Sequence, residues 1–156
     1  MVAKYGKDTA FFSTNCSMQI PLIKATVDSG AIYPQPCCPS PYHGFPTALG
    51  IESDSSKPGD LQHVIDETRR ILKEKGMSGR LSTWPVPVAM MSTVASTEYA
   101  FKVIAGEVPF DKLDMKVLEQ CMADYAKVAV SATPYVDEAG KKYDNYLFVL
   151  MDFLTY

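Results

Sequence analysis

The 156-residue chain is 47% hydrophobic, 21% charged and 11% aromatic, with a formal net charge of -3. That balance predicts one soluble globular domain. It excludes disordered and collagen-like chains, because enough apolar surface can be buried to offset ordering entropy and no repeat is present. No apolar run reaches the roughly 20 residues needed to span a bilayer. With no block of Lys or Arg, a nucleic-acid-binding surface on this segment is not expected.

Met1 to Tyr5 has neither the apolar core nor the small-residue cleavage site of a signal peptide. The chain then enters a strand-like run, Asp8 to Thr14, and closes on another, Tyr146 to Tyr156. Domains usually begin and end on polar, frayed residues. The expectation is therefore a single α/β unit over 1–156 that forms part of a larger protein.

Thr9 to Thr14 predicts a buried strand, and Asn15 and Ser17 can cap the helix that follows. That helix takes Met18 to Val27, with Pro21 tolerated in its first turn and Gly30 as its stop. Residues 31–46 contain five prolines, which predicts a stiff extended loop. Thr47 to Ile51 reads as a short strand or a helical turn. After the polar stretch Ser53 to Lys57, Pro58 opens a helix through Lys75, with Leu61, Val64, Ile65, Thr68, Ile71 and Leu72 on one face. His63 falls on its solvated face, and Gly76 ends it. Arg80 to Trp84 predicts a strand stopped by Pro85 and Pro87. An apolar helix from Val88 to Ala105 follows, with Glu98 facing solvent. The next helix is capped by Asp114 and turns Leu118, Cys121, Met122 and Tyr125 inward. Val128 to Tyr135, a turn at Asp137–Lys141, and Tyr146 to Leu154 predict a hairpin. Strand–helix alternation with this hairpin predicts an α/β fold, a mainly parallel sheet flanked by helices with a C-terminal β-hairpin.

In such sheets ligands sit beyond the carboxyl ends of the strands. Thr14-Asn15-Cys16-Ser17, the loop around Tyr42-His43 and Thr83-Trp84-Pro85-Val86-Pro87 all fall there. The unit Asp8 to Asn15, followed by a helix ending in Gly, resembles the strand–Asn–helix unit in the C-terminal lobe of type I periplasmic binding proteins and of related sugar-repressor effector domains. The chain also resembles a bacterial domain-of-unknown-function family grouped with those binding proteins. The shared peptides are Phe12-Ser13-Thr14-Asn15-Cys16, Cys37-Cys38-Pro39-Ser40-Pro41-Tyr42-His43-Gly44, Gly76 to Arg80, Thr83 to Pro87, Tyr143-Asp144-Asn145 and Leu150-Met151-Asp152. The resemblance covers nearly the whole chain, but family members carry a preceding lobe that is missing here.

The resemblance implies one lobe of a type I periplasmic-binding-protein-like fold, binding a small-molecule ligand when two lobes close about a hinge. The chain would be the solute receptor of an ABC importer, partnered by an ABC permease and by the absent N-terminal lobe. It would be extracytoplasmic, as a lipoprotein or periplasmic protein, if the full reading frame carries a signal, and cytoplasmic otherwise. The ligand contacts expected are Asn15, Cys16, Tyr42, His43 and Trp84. Trp84 can wall a cleft or plug a core, and Arg80 can hold an anion or form a surface ion pair. An effector domain of a transcriptional regulator is the first alternative, and a cysteine-dependent enzyme using Cys16 or Cys38 with His43 is the second.

Four cysteines are too few for a disulfide scaffold, and Cys37 and Cys38 as neighbours could pair only through a strained ring. Cys16, Cys37, Cys38 and His43 could hold a soft metal if their loops converge. The Cys-Cys spacing matches no metal knuckle, so structural or ligand-lining thiols are expected, with no metal or other cofactor. No phosphate-binding glycine loop, paired-carboxylate signature or nucleophile elbow is present, so the chain is not expected to be an enzyme.

Overall fold

Side-chain oxygens of Asn15, Asp60 and Asp114 each cap the start of a helical segment. The computed structural model describes residues 1–52, 56 and 59–156. These divide into two compact units, Met1–Val88 with Phe153–Tyr156, and Ala89–Asp152.

In the first unit, a short helix α1 (Val2–Tyr5) precedes the segment that the sequence reads as a buried strand. A 3₁₀ turn at Cys16–Met18 leads into α2 (Gln19–Ser29), and Gly30 ends α2 in the left-handed conformation that glycine adopts without strain. Of the two readings for residues 47–51, the helical turn is found, as α3 (Phe45–Leu49). Helix α4 (Leu61–Glu74) is capped by Asp60, whose carboxylate accepts from the His63 N–H at 3.0 Å. Pro58 and most of the polar stretch before it lie outside the described residues. The predicted inner face of α4 is buried at Val64, Ile65, Thr68 and Leu72, while His63 is half-buried rather than solvated.

Among the described residues, the mainly parallel sheet is not formed. Strand β1 (Ser82–Thr83) pairs antiparallel with a short strand at Leu154–Thr155. Parallel pairing among the described residues is confined to isolated bridges, Ala10 with Ile32 and Tyr33 with Leu81. Backbone hydrogen bonds still set these segments side by side: Phe11 donates to Ile32 and Ile32 to Thr9, while Tyr33 donates to Arg80 and Ser82 to Tyr33. The prolines explain why no ladder grows. Pro34 and Pro36 supply no N–H just beyond Tyr33, and Pro85 and Pro87 do the same beyond Thr83. The Thr9–Thr14 run is not a buried strand either, since Ala10 and Phe12 are exposed.

The core of this unit joins Ile23 from α2, Phe45 from α3, Ile65 and Leu72 from α4, and Tyr33, Met77, Leu81 and Tyr156. Phe45 meets the edge of Tyr33 at a centroid separation of 5.8 Å and lies 5.0 Å from Tyr156, spacings at which aromatic pairs attract beyond simple burial.

The second unit contains most of α5 (Val88–Ile104), then α6 (Met115–Ala126), β2 (Val130–Val136) and β3 (Lys142–Met151). Glu98 is exposed, as its position on α5 predicts. Asp114 caps α6, accepting from the N–H groups of Lys116 and Val117, and Leu118, Cys121 and Met122 are buried. Glu119 reaches from α6 to accept the Ala132 N–H at 2.7 Å, which fixes β2 to the helix. β2 and β3 pair antiparallel around a turn held by Asp137, with an irregularity between Pro134 and Tyr135 where proline removes a ladder donor. The predicted return strand, Tyr146 to Leu154, instead starts at Lys142 and stops at Met151. Leu154–Thr155 then forms β4, which pairs with β1. The fold is thus mixed α/β. Among the described residues, no helix is long and apolar enough to cross a membrane.

Candidate functional site

Three loops of the first unit leave the bridged segments at their carboxyl ends, and the predicted site residues lie on them. The first loop, Ser13 to Met18, is held by its own polar groups. The Asn15 side chain accepts from the Ser17 N–H at 3.0 Å and from the Ser17 hydroxyl at 2.8 Å, an N-cap that presents Cys16 at the start of the 3₁₀ turn. Gln19, fully buried, donates to the carbonyls of Ser13 and Asn15 and accepts from the Tyr33 hydroxyl. Burial, followed by the neighbouring Cys37, pushes the Tyr33 phenol well above its ordinary range, so it stays a neutral donor.

The second loop, 34–44, is pinned by its prolines. Pro36, Pro39 and Pro41 are buried, and Ser40 turns the chain, its hydroxyl accepting the Tyr42 N–H at 3.1 Å. Gly44 adopts φ 85°, and a Cβ there would approach Ile23 Cδ1 at 3.0 Å and Gln19 Cβ at 3.2 Å. Only glycine lets this loop lie so close on α2. The third loop, after Thr83, carries Trp84, half-buried, and is joined to the second where the Val88 N–H donates to Pro39 at 3.0 Å.

Cys16 and Cys38 are exposed and Cys37 is half-buried, all as free thiols. The Cys16 sulfur lies 3.4 Å from that of Cys37 and 3.8 Å from that of Cys38, and all three sulfurs lie within 4.8 Å of one another. The adjacent pair, which the sequence suggests is badly constrained, therefore points both sulfurs to one place. His43 is not part of that group. Its Nδ1–H donates to the Cys38 carbonyl at 2.9 Å, so it fastens the loop and forms no Cys–His pair through that nitrogen. Tyr42 is exposed on the same loop. Arg80 forms the ion pair expected of a surface residue, 3.0 Å from Asp8, and also donates to the Lys7 carbonyl.

The sequence reading grouped Cys37 with Cys16 only on condition that their loops converge, and it missed Gln19 and Tyr33 as the brace beneath them. A buried glutamine in a first helical turn and a tyrosine just before a proline carry no distinctive spacing.

These features define a mixed α/β protein with a loop-built, thiol-rich site beside short parallel bridges. The family model described as a protein of unknown function, DUF3798, matches residues 1–82, and the chain belongs to that family. Those residues include the first two loops of the site. The structure is also similar to a crystal structure described as a candidate transcriptional regulator from Clostridium difficile 630. The TM-score is 0.82 at 23% sequence identity, covering 99% of this chain and 43% of that one. This chain thus spans under half the length of that structure, and at that identity the likeness shows the fold alone. No curated protein matches the chain.

Proposed function

We propose that the chain is the small-molecule-binding lobe of a type I periplasmic-binding-protein-like receptor, serving an ABC importer outside the cytoplasm, and that it binds rather than transforms its ligand. The observation that carries this reading is the gathering of Asn15, Cys16, Tyr42 and His43 on loops at the carboxyl ends of the bridged segments, with Trp84 on a third loop tied to the second. Ligands of layered α/β proteins bind at such ends. The loops are stiffened by proline, capping and the Gln19 brace, which lowers the ordering cost of binding. A second lobe would complete the cleft, and the 43% coverage of the similar structure leaves room for one.

A second reading is favoured by that structure's description: the ligand-sensing effector domain of a cytoplasmic transcriptional regulator. The flanking reading frame separates the two, since a lipoprotein or secretion signal belongs to a receptor and a helix-turn-helix to a regulator.

Trp84 is the chain's single tryptophan and so its own reporter. Thermal melts and tryptophan fluorescence of the full-length protein, with chelator present, against panels of sugars, nucleosides, amino acids and short peptides should find one class that raises the melting point and shifts emission. Trp84→Ala should then weaken binding of that class by about 1–3 kcal/mol. Unchanged affinity with roughly 3–5 kcal/mol lost stability would make Trp84 a core plug. No response from any class would sink the binding reading.

A further inference from the structure

Three thiols from two loops converge where either a disulfide or a metal would use them. A disulfide takes only two sulfurs, and Cys16 has two neighbours, at 3.4 and 3.8 Å. Closing Cys37 onto Cys38 is disfavoured by the strained ring. A metal ion uses all three. Four sulfurs about 2.3 Å from a tetrahedral zinc lie about 3.8 Å from one another, and the separations here, within 4.8 Å throughout, already approach that geometry.

The surroundings keep this arrangement in place. Pro36 and Pro39, both buried, bracket the cysteine pair, the His43 ring fastens the Cys38 carbonyl, and the Asn15 cap with the Gln19 brace fixes Cys16. Little reorganisation is needed to bring the sulfurs together. Cys16 and Cys38 are also exposed, so one side of the group is open to solvent.

We propose that Cys16, Cys37 and Cys38 form a three-thiolate site for a thiophilic d10 cation, zinc or cuprous ion, with a coordination position left for an external ligand. Thiolates select such soft ions over hard ones, and three protein ligands with an open position is the pattern of zinc sites that take up a further group. Each thiol releases its proton to solvent as the metal binds. This assignment does not depend on the small-molecule reading, whose test is run with chelator present.

The test uses the full chain, reduced with a phosphine, shown by thiol titration to carry four free thiols, and titrated with Co2+ in place of Zn2+. One equivalent should give the intense thiolate-to-cobalt charge-transfer absorption, which Zn2+ should then bleach; a parallel arm with Cu+ against a cuprous chelator decides which ion is held more tightly. Cys16→Ser, Cys37→Ser and Cys38→Ser should each weaken binding more than about tenfold, the lower bound for disturbing even the outer shell of a metal site. Cys121→Ser, which alters a buried thiol of the other unit, should leave binding unchanged. Bound metal should also slow alkylation of the three cysteines, a readout that needs no variant. The proposal is overturned if the folded, reduced chain takes up neither ion, or if Cys121→Ser weakens binding as much as the others. It is equally overturned if peptide mapping finds a Cys16–Cys37 disulfide and reduction restores no metal uptake.

Discussion

The two units of this chain solve burial differently. In the first, the central hydrophobic cluster draws one or two residues from each of several short elements, and Ile23, Tyr33, Phe45 and Leu72 are completely enclosed. In the second, regular elements are longer, yet large apolar side chains stay outside: Phe101, Ile104 and Phe110, and on β3 Tyr146, Phe148 and Leu150. Those three β3 residues alternate with the half-buried Leu147, Val149 and Met151, so one face of the hairpin packs and the opposite, equally apolar face does not. Regular secondary structure and a closed core are thus separate achievements. The first unit closes its core with short strands and helices of uneven length.

The comparison would break most visibly at Phe45. Phe45→Ala removes the ring between Tyr33 and Tyr156 and should cost about 3–5 kcal/mol in urea unfolding. A loss below about 1 kcal/mol would mean the first unit is no better consolidated than the second. Next in size is Tyr33→Phe, which keeps the ring but leaves the buried Gln19 carbonyl oxygen without its donor. About 1–3 kcal/mol should be lost, and alkylation of Cys16 should accelerate as the brace loosens. Unchanged stability and reactivity would show that the brace is not needed.

In the second unit the effect should fall on association rather than on folding. Large exposed apolar patches mark surfaces that partners cover. The chain should therefore bind hydrophobic dye or self-associate, and Phe148→Ser with Leu150→Ser should reduce both while moving stability by only about half a kcal/mol each. A monodisperse chain that ignores dye would refute this contrast.

The smallest effect is a pH dependence of the hairpin turn. The backbone N–H of Lys141, then the Tyr143 hydroxyl and the Ala139 N–H, hold the Asp137 carboxyl below its ordinary range. Its folded value thus lies below the unfolded one, near 3.9. The stabilisation is complete well above that unfolded value and is lost as pH falls through the folded value. Amide protection at Gly140 and Lys141, measured against the intrinsic exchange rate at each pH, should fall on acidification in the parent, and Asp137→Ala should show little protection at any pH. Equal acid sensitivity in both would remove Asp137 from the turn.

Much of this architecture was legible in the sequence. Helical periodicity locates α4 and, with the Asp114 cap, α6, while Asn15 caps the 3₁₀ turn that leads into α2, because such side chains satisfy local N–H groups whatever the tertiary context. The sheet was misread because strand propensity in Thr9–Thr14 and Arg80–Trp84 says nothing of how far a ladder can extend beside Pro34 and Pro85. β4 was misread because the choice between extending β3 and crossing to β1 is set by distant partners. At the site, Asn15 and Cys16 stood out through position and Tyr42, His43 and Trp84 through rare peptides. The meeting of Cys16 with Cys37 and Cys38 depends on two loops separated by a whole helix, a relation that spacing alone does not encode.

Residues Ser82–Thr83 and Leu154–Thr155 lie against each other, so the chain leaves the first unit and re-enters it through neighbouring strands. In polymer terms, everything between them is one long loop whose ends were already joined. Doubling the length of such a loop adds only about 0.6 kcal/mol of closure entropy. A lineage could lengthen, shorten or exchange Ala89–Asp152 without rethreading the part that holds the thiols. The two-residue seam, rather than the material it encloses, is what descent would have to preserve.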